Sequence, residues 1–202
     1  LIIVGHAGHP EVEGTRGCVA GPVHVLCTPE EVMTLPVLKP ERVAYVTQTT
    51  LSVDDTCQVI EALTKRFPQI QGPALSDICY ATQNRQNAVR QLAADIEVLL
   101  VVGAHNSSNS NRLREVGIQA GIQAYLIETA EDLQPDWFVN QSTIGITAGA
   151  STPEVLVDGV LKCLQSWGFV AVKQMTGEPE NMTFKIPNNL SRESISSISV
   201  SG

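Results

Sequence analysis

Five stretches of the chain carry residue types that could do chemistry. HAGHPEVEG (6–14) sets His9 and Glu11 two apart at the mouth of a helix led by Pro10, a favoured first-turn residue. An imidazole there can donate to a phosphate oxygen, and a carboxyl group can relay protons. TQTTLSVDDT (47–56), VVGAHNSSNSNRL (101–113) and ITAGASTPEV (146–155) each run from an apolar strand into hydroxyls and amides and then into a helix. The densest run is Asn106-Ser107-Ser108-Asn109-Ser110-Asn111. Helix N-termini accept anions, and Ser, Thr and Asn add neutral donors, so such ends can grip a phosphate without lysine. DICYATQNRQ (77–86) places Cys79 just ahead of a further helical pattern.

Each of these also has an ordinary structural explanation. A single Ser or Thr at a strand-to-helix junction is usually a cap or turn former. A His beside a Glu is usually a surface pair. His6 suits a backbone-bonding turn, and His24 and His105 carry no separate signal. Cys79 can be a small buried hydrophobe, or a thiolate favoured by the nearby helix end and open to a metal. What favours binding is recurrence, because four strand ends share one design.

The elements that must position these residues alternate. Strand-like runs fall at 1–5, 23–27, 42–49, 98–103, 124–128 and 143–147. Helical patterns fall at 10–17, 29–35, 52–67, 84–96, 108–120, 130–137 and 153–167. The third helix is well marked: Ser52 and Asp55 have capping-box-like spacing, and Val59, Ile60, Leu63 and Phe67 form a stripe. This alternation predicts an α/β protein with mostly parallel sheet covered by helices. QIQGPALSD (69–77), with Gly72 and Pro73, reads as a boundary between two similar lobes, 1–75 and 76–165. A tail, 166–202, follows; MTFKIP (182–187) could add a strand, and the Ser-rich end reads as loose.

With 202 residues, 43% hydrophobic and 17% charged, the composition is that of a folded globular protein. A net charge of −8 and a pI near 4.9 argue against nucleic acid and anionic membrane as partners. The cysteines (Cys18, Cys27, Cys57, Cys79, Cys163) form no C-x-x-C pair and suit a reducing cytoplasm. No signal peptide is visible, and no apolar run reaches the ~20 residues of a membrane span. Starting inside an apparent strand, LIIVG, the chain is expected to be part of something longer.

Taken together, GHAGHPEVEGT, TQTTLSVDDT, DICYAT-x-NRQ-x-AV, VVG-x-x-NSSNS-x-RL and GITAGAS-x-P resemble the 4-hydroxy-3-methylbut-2-enyl diphosphate reductase family, in order from residue 1 to about 187. The resemblance implies a three-lobed, pseudo-symmetric α/β fold around a 4Fe–4S cluster held by three cysteines, one per lobe. It implies loss of an allylic hydroxyl as water, with two electrons and two protons, to give isopentenyl and dimethylallyl diphosphate in isoprenoid biosynthesis. A ferredoxin or flavodoxin is the implied electron donor. On this resemblance Cys79 is a cluster ligand, Glu11 delivers a proton, and Thr49 sits beside the substrate hydroxyl. His9, Ser107, Ser108, Asn109 and Ser151 contact the diphosphate.

The first lobe of that pattern, with two cysteines and two further histidines, has no counterpart here, and Cys18, Cys27, Cys57 and Cys163 match none of the cluster motifs. One thiolate cannot hold a cluster that needs about three or four. This polypeptide alone is therefore expected to be inactive. Two alternatives remain at this stage: a non-catalytic diphosphate-binding module, and an unrelated sugar-phosphate or nucleotide-sugar enzyme of the same architecture. Intact Glu11, Thr49 and Cys79 disfavour the first, and the absence of a nucleotide-type glycine loop disfavours the second.

Overall fold

The computed structural model describes residues 1–36, 39–73, 78–138 and 143–175. In chain order they form β1 (Ile2–Val4), α1 (Pro10–Gly17), β2 (His24–Leu26), α2 (Pro29–Thr34), β3 (Tyr45–Thr47) and α3 (Val53–Arg66). There follow α4 (Tyr80–Leu92), β4 (Val98–Val102), α5 (Ser108–Gln119), β5 (Gln123–Ile127), β6 (Ile144–Ala148) and α6 (Glu154–Ser166). Two parallel three-stranded sheets result, ordered β2-β1-β3 and β5-β4-β6. This is the α/β architecture that the alternation predicts. The boundary expected near residue 75 and the strand expected at 182–187 lie outside the described residues.

The two sheets share one topology. The first strand lies centrally, the second beside it on one side and the third on the other, so successive connections leave in opposite directions. A crevice opens where the loops after the central and third strands part. Those loops follow β1 and β3 in one sheet and β4 and β6 in the other. They are the four junctions rich in His, Thr, Ser and Asn.

Packing explains why the strands stay put. All five residues of β4, VLLVV, are buried, as a central parallel strand covered on both faces requires. Val98, Leu100 and Val102 pack with Val160 and Leu164 of α6, while Leu99 and Val101 meet Val89, Leu113 and Val116. Each such side chain contributes roughly 1.5–3 kcal/mol on burial. In the first sheet, α3 buries Val59 and Leu63, and the Ser52 side chain caps it by accepting from the Asp55 N–H at 3.3 Å. At its far end the Arg66 guanidinium donates to the carbonyls of Val32 and Leu35, fastening α2.

Two expected elements differ. The fourth helix starts at Tyr80, not Asn84, with Cys79 as its N-cap and no side-chain cap bond. Asn84 has the side chain of a cap, but the helix is set by the buried stripe Thr82, Gln86 and Val89, which reaches back a full turn. The helix expected at 130–137 is instead two 3-10 turns, Ala130–Asp132 and Pro135–Phe138. Pro135 lacks an N–H and disfavours helical geometry at Gln134, which breaks the run. In addition, Gln71 extends alongside Ala44 in a parallel bridge, within the segment expected only to separate the lobes.

The sheets are joined at the start of α3. Asp54 pairs with Arg90 at 2.7 Å, and Asp55 with Arg112 at 3.5 Å. Fully buried Gln86 donates from Nε2 to the Leu51 carbonyl at 2.9 Å.

Candidate functional site

At the first junction, Gly5 follows β1 and Gln48 follows β3, side by side. A Cβ on Gly5 would lie 2.7 Å from Val12 Cγ2, so only glycine lets α1 close on the strand end. The buried Gln48 amide accepts from the His6 N–H at 3.1 Å and donates to Thr50 Oγ1 at 2.9 Å. This holds the histidine loop against the threonine loop. His9 is the N-cap of α1, and its Nδ1 accepts from the Glu11 N–H at 3.3 Å. In the neutral ring the hydrogen therefore sits on Nε2, which lies 2.7 Å from Ser108 Oγ across the two sheets.

Glu11 and Thr49, 38 residues apart in sequence, meet directly. The Glu11 carboxylate accepts from the Thr49 N–H at 3.0 and 3.2 Å and from the Thr49 hydroxyl at 3.1 Å. The Cys79 N–H in turn donates to the Thr49 carbonyl at 3.3 Å. Acid, hydroxyl and thiol-bearing backbone are thus consecutive. Cys79 is a free, exposed cysteine at a helix N-terminus, which rules out the buried-hydrophobe explanation. At Cys27, burial and the neighbouring Glu31 carboxylate push the thiol pKa up, away from thiolate character.

At the second junction Gly103 follows β4 and Gly149 follows β6. Ser107 caps α5, its Oγ accepting from the Ser110 N–H at 3.3 Å. Asn109 is buried, and neither Nδ2 nor Oδ1 has a hydrogen-bond partner among the described residues. A buried amide left so costs about 1–3 kcal/mol and is stabilised by any ligand that supplies the missing partners. The loop carrying Ser151 abuts it: a Cβ on Gly149 would stand 3.8 Å from Asn109 Nδ2. Thr152 anchors that loop by donating to the Val102 carbonyl at 2.9 Å.

Between the junctions lies an open cleft of ≈ 420 Å³, bordered by His6, His9, Gln48, Ser108, Asn111 and Arg112 among others. Arg112 is largely buried there and is balanced by Glu115 at 2.8 Å and Asp55 at 3.5 Å, so its charge is largely neutralised in place. Gln48, Gln86, Ser110 and Arg112 were not among the candidates from sequence. Glutamines carry no pattern of their own, and Ser110 was hidden in a run in which every residue is polar. Among the described residues no group of three or more His, Cys, Asp or Glu side chains is placed to hold a metal ion, and no helix is long and apolar enough to cross a membrane.

The profile of the LytB protein family matches residues 1–165. The chain belongs to the LytB family. Similar members include 4-hydroxy-3-methylbut-2-enyl diphosphate reductase of Pseudomonas syringae pv. syringae, 55% identical over 198 residues, covering 96% of this chain and 63% of that protein. The second such reductase of Bradyrhizobium diazoefficiens is 56% identical over 192 residues, covering 94% of this chain and 62% of that one. Among solved LytB structures, the E-1-hydroxy-2-methyl-but-2-enyl-4-diphosphate reductase of Plasmodium falciparum superposes with a TM-score of 0.86 at 32% identity, covering 93% of this chain and 60% of that one. The chain thus spans a little under two thirds of the LytB relatives it matches.

Proposed function

We propose that this chain forms the diphosphate-binding and proton-delivering part of a 4-hydroxy-3-methylbut-2-enyl diphosphate reductase, in two lobes divided near residue 75. The observation that carries the reading is the chain of contacts from Glu11 through Thr49 to the backbone of Cys79, facing a junction of neutral donors across the His9–Ser108 contact. A module that only bound diphosphate has no use for an acid, a hydroxyl and an open thiol in succession.

In this reading His9, Ser107, Ser108, Asn109 and Ser151 hold the diphosphate. Preorganised neutral donors in a water-poor site can replace lysines, since each counts for more at low dielectric. Thr49 then meets the substrate's alcohol end. With Glu11 ionised, the Thr49 hydroxyl donates to it. A proton placed on Glu11 reverses that bond, so Glu11 donates to Thr49 Oγ1 and the threonine hydrogen turns to the leaving hydroxyl, which departs as water. The iron–sulfur cluster, when bound, would supply the two electrons, and a second proton added at the allylic carbon completes the alkene. Cys79 fits it as one ligand, exposed and without a competing side-chain bond, and further thiolates have to come from beyond the described residues. Without them we expect diphosphate binding but no turnover. A ferredoxin- or flavodoxin-type donor in the cytoplasm is the matching redox partner.

Glu11→Gln in the full natural chain tests the reading. Pyrophosphate binding by calorimetry should stay near wild type while anaerobic reduction falls about 10²–10⁴-fold, the range for a lost general acid. Unchanged turnover would remove Glu11 from the proton path.

A further inference from the structure

We infer that Ser110 is a positioning residue that makes Ser107 an obligate hydrogen-bond donor toward the diphosphate; the inference rests on Ser107 belonging to the cradle proposed above. Ser110 is only 1% exposed. Ser110 is the third residue of α5, in its first turn, from where a side chain can reach back to the N-cap. It directs both its backbone N–H, at 3.3 Å, and its hydroxyl, at 3.1 Å, to the single oxygen Ser107 Oγ. A hydroxyl has one hydrogen and two lone pairs. With both lone pairs occupied from the α5 side, the Ser107 hydrogen has to point away from the helix.

That fixes the sign of the interaction. Phosphate oxygens only accept, so a freely rotating serine has to give up rotational freedom to aim its hydrogen at them. Ser107 under Ser110 is already aimed.

The strand ends are built around this hydroxyl. A Cβ on Gly103 would come 2.3 Å from Ser110 Oγ, and one on Gly149 would come 2.4 Å from it. Both strands that border the crevice therefore end in glycine where Ser110 needs room. Thr152, the neighbouring hydroxyl, is committed as a donor to the Val102 carbonyl.

A double-mutant cycle in the full natural chain tests this, with inorganic pyrophosphate as the probe in calorimetry. Ser110→Ala should weaken pyrophosphate binding about 5–10-fold, one hydrogen bond's worth, with Tm little changed. In a Ser107→Ala background the same substitution should change the affinity less than about two-fold, since coupled residues are non-additive. In turnover, Ser110→Ala should raise KM and leave kcat near wild type. Wild-type affinity in Ser110→Ala overturns the inference. So does an equal loss in both backgrounds, which would make Ser110 an independent structural residue. If wild-type protein itself ignores pyrophosphate, the cradle reading fails and takes the inference with it, a pattern distinct from either.

Discussion

The two sheets are the same scaffold put to different chemistry. Each places its first strand in the centre, ends it in a glycine, and opens a crevice between the loops after its first and third strands. The first crevice carries the ionisable groups, His9 and Glu11, and uses their geometry to define where hydrogens lie. Its counterpart carries serines and a buried asparagine whose amide lacks partners. On the proposed reading, one end moves a proton and the other holds the diphosphate through neutral donors. Topology placed both sites, and side-chain type alone divided the labour.

If the second crevice binds through neutral donors, its removal should cost more than anything done to the scaffold. Ser107→Ala with Asn109→Ala is expected to weaken pyrophosphate binding about 30–150-fold in the full chain, from two lost donors at ~1–1.5 kcal/mol each. The affinity of the unmutated site should also fall only shallowly with added salt, because neutral donors are not screened as a lysine pair is. Equal affinity in the double variant refutes the cradle, and a steep salt dependence would mean that cations beyond these residues dominate.

The glycines that end the two central strands allow a finer comparison. At Gly5 the added methyl would collide with a Val12 methyl at 2.7 Å, and at Gly103 with the Ser110 hydroxyl at 2.3 Å. Gly5→Ala and Gly103→Ala should each destabilise the fold by about 1–3 kcal/mol in urea denaturation, the usual cost of overpacking. Only Gly103→Ala should also weaken pyrophosphate binding, since only there does the displaced atom hold Ser107, a residue of the proposed cradle. Matching losses of affinity in both variants would show that the scaffold, and not Ser110, transmits the effect.

Much of this was legible beforehand because it rests on local rules. The Ser52 cap, the Pro10 helix start and the buried run at 98–102 follow from capping, proline geometry and burial of apolar strands. Residue type and family pattern single out His9, Glu11, Thr49 and the serine run; the structure joins Glu11 to Thr49 and His9 to Ser108, and of these residues His9 and Ser108 border the cleft. What could not be read was relational. Nothing local says that Gln86 reaches Leu51, that Gln48 bridges two loops, or that Arg112 is balanced by residues of two helices. Helix α4 was misplaced for the same reason: Asn84 looks like a cap, but the buried stripe that sets the start is recognised only against its packing partners. The run at 130–137 is split into two 3-10 turns by a local rule, the effect of Pro135 on its predecessor.

The smallest expected effect sits at the edge of each sheet, where the same device recurs. After β2, Thr28 and Glu31 form a capping box, and after β5, Thr129 and Asp132 form another. The Glu31 carboxylate accepts from the Cys27 and Thr28 N–H groups at 2.7 and 3.0 Å, and Asp132 accepts from Glu128 and Thr129 at 2.8 and 2.9 Å. These backbone donors hold both pKa values below their ordinary 4.5 and 3.8. A carboxylate with a lowered folded-state pKa adds stability that is present above the unfolded value and is lost as pH falls through the folded one. Urea midpoints measured downward from pH 6 should therefore decline below about pH 4.5 at Glu31's box first and at Asp132's later. Glu31→Gln with Asp132→Asn should lower stability at pH 6 and flatten that decline. Because both side chains are exposed, solvent screening keeps each contribution under about 1 kcal/mol. A decline of unchanged steepness in the double variant would assign the acid sensitivity to other carboxylates and leave the two boxes as geometric stops for their helices.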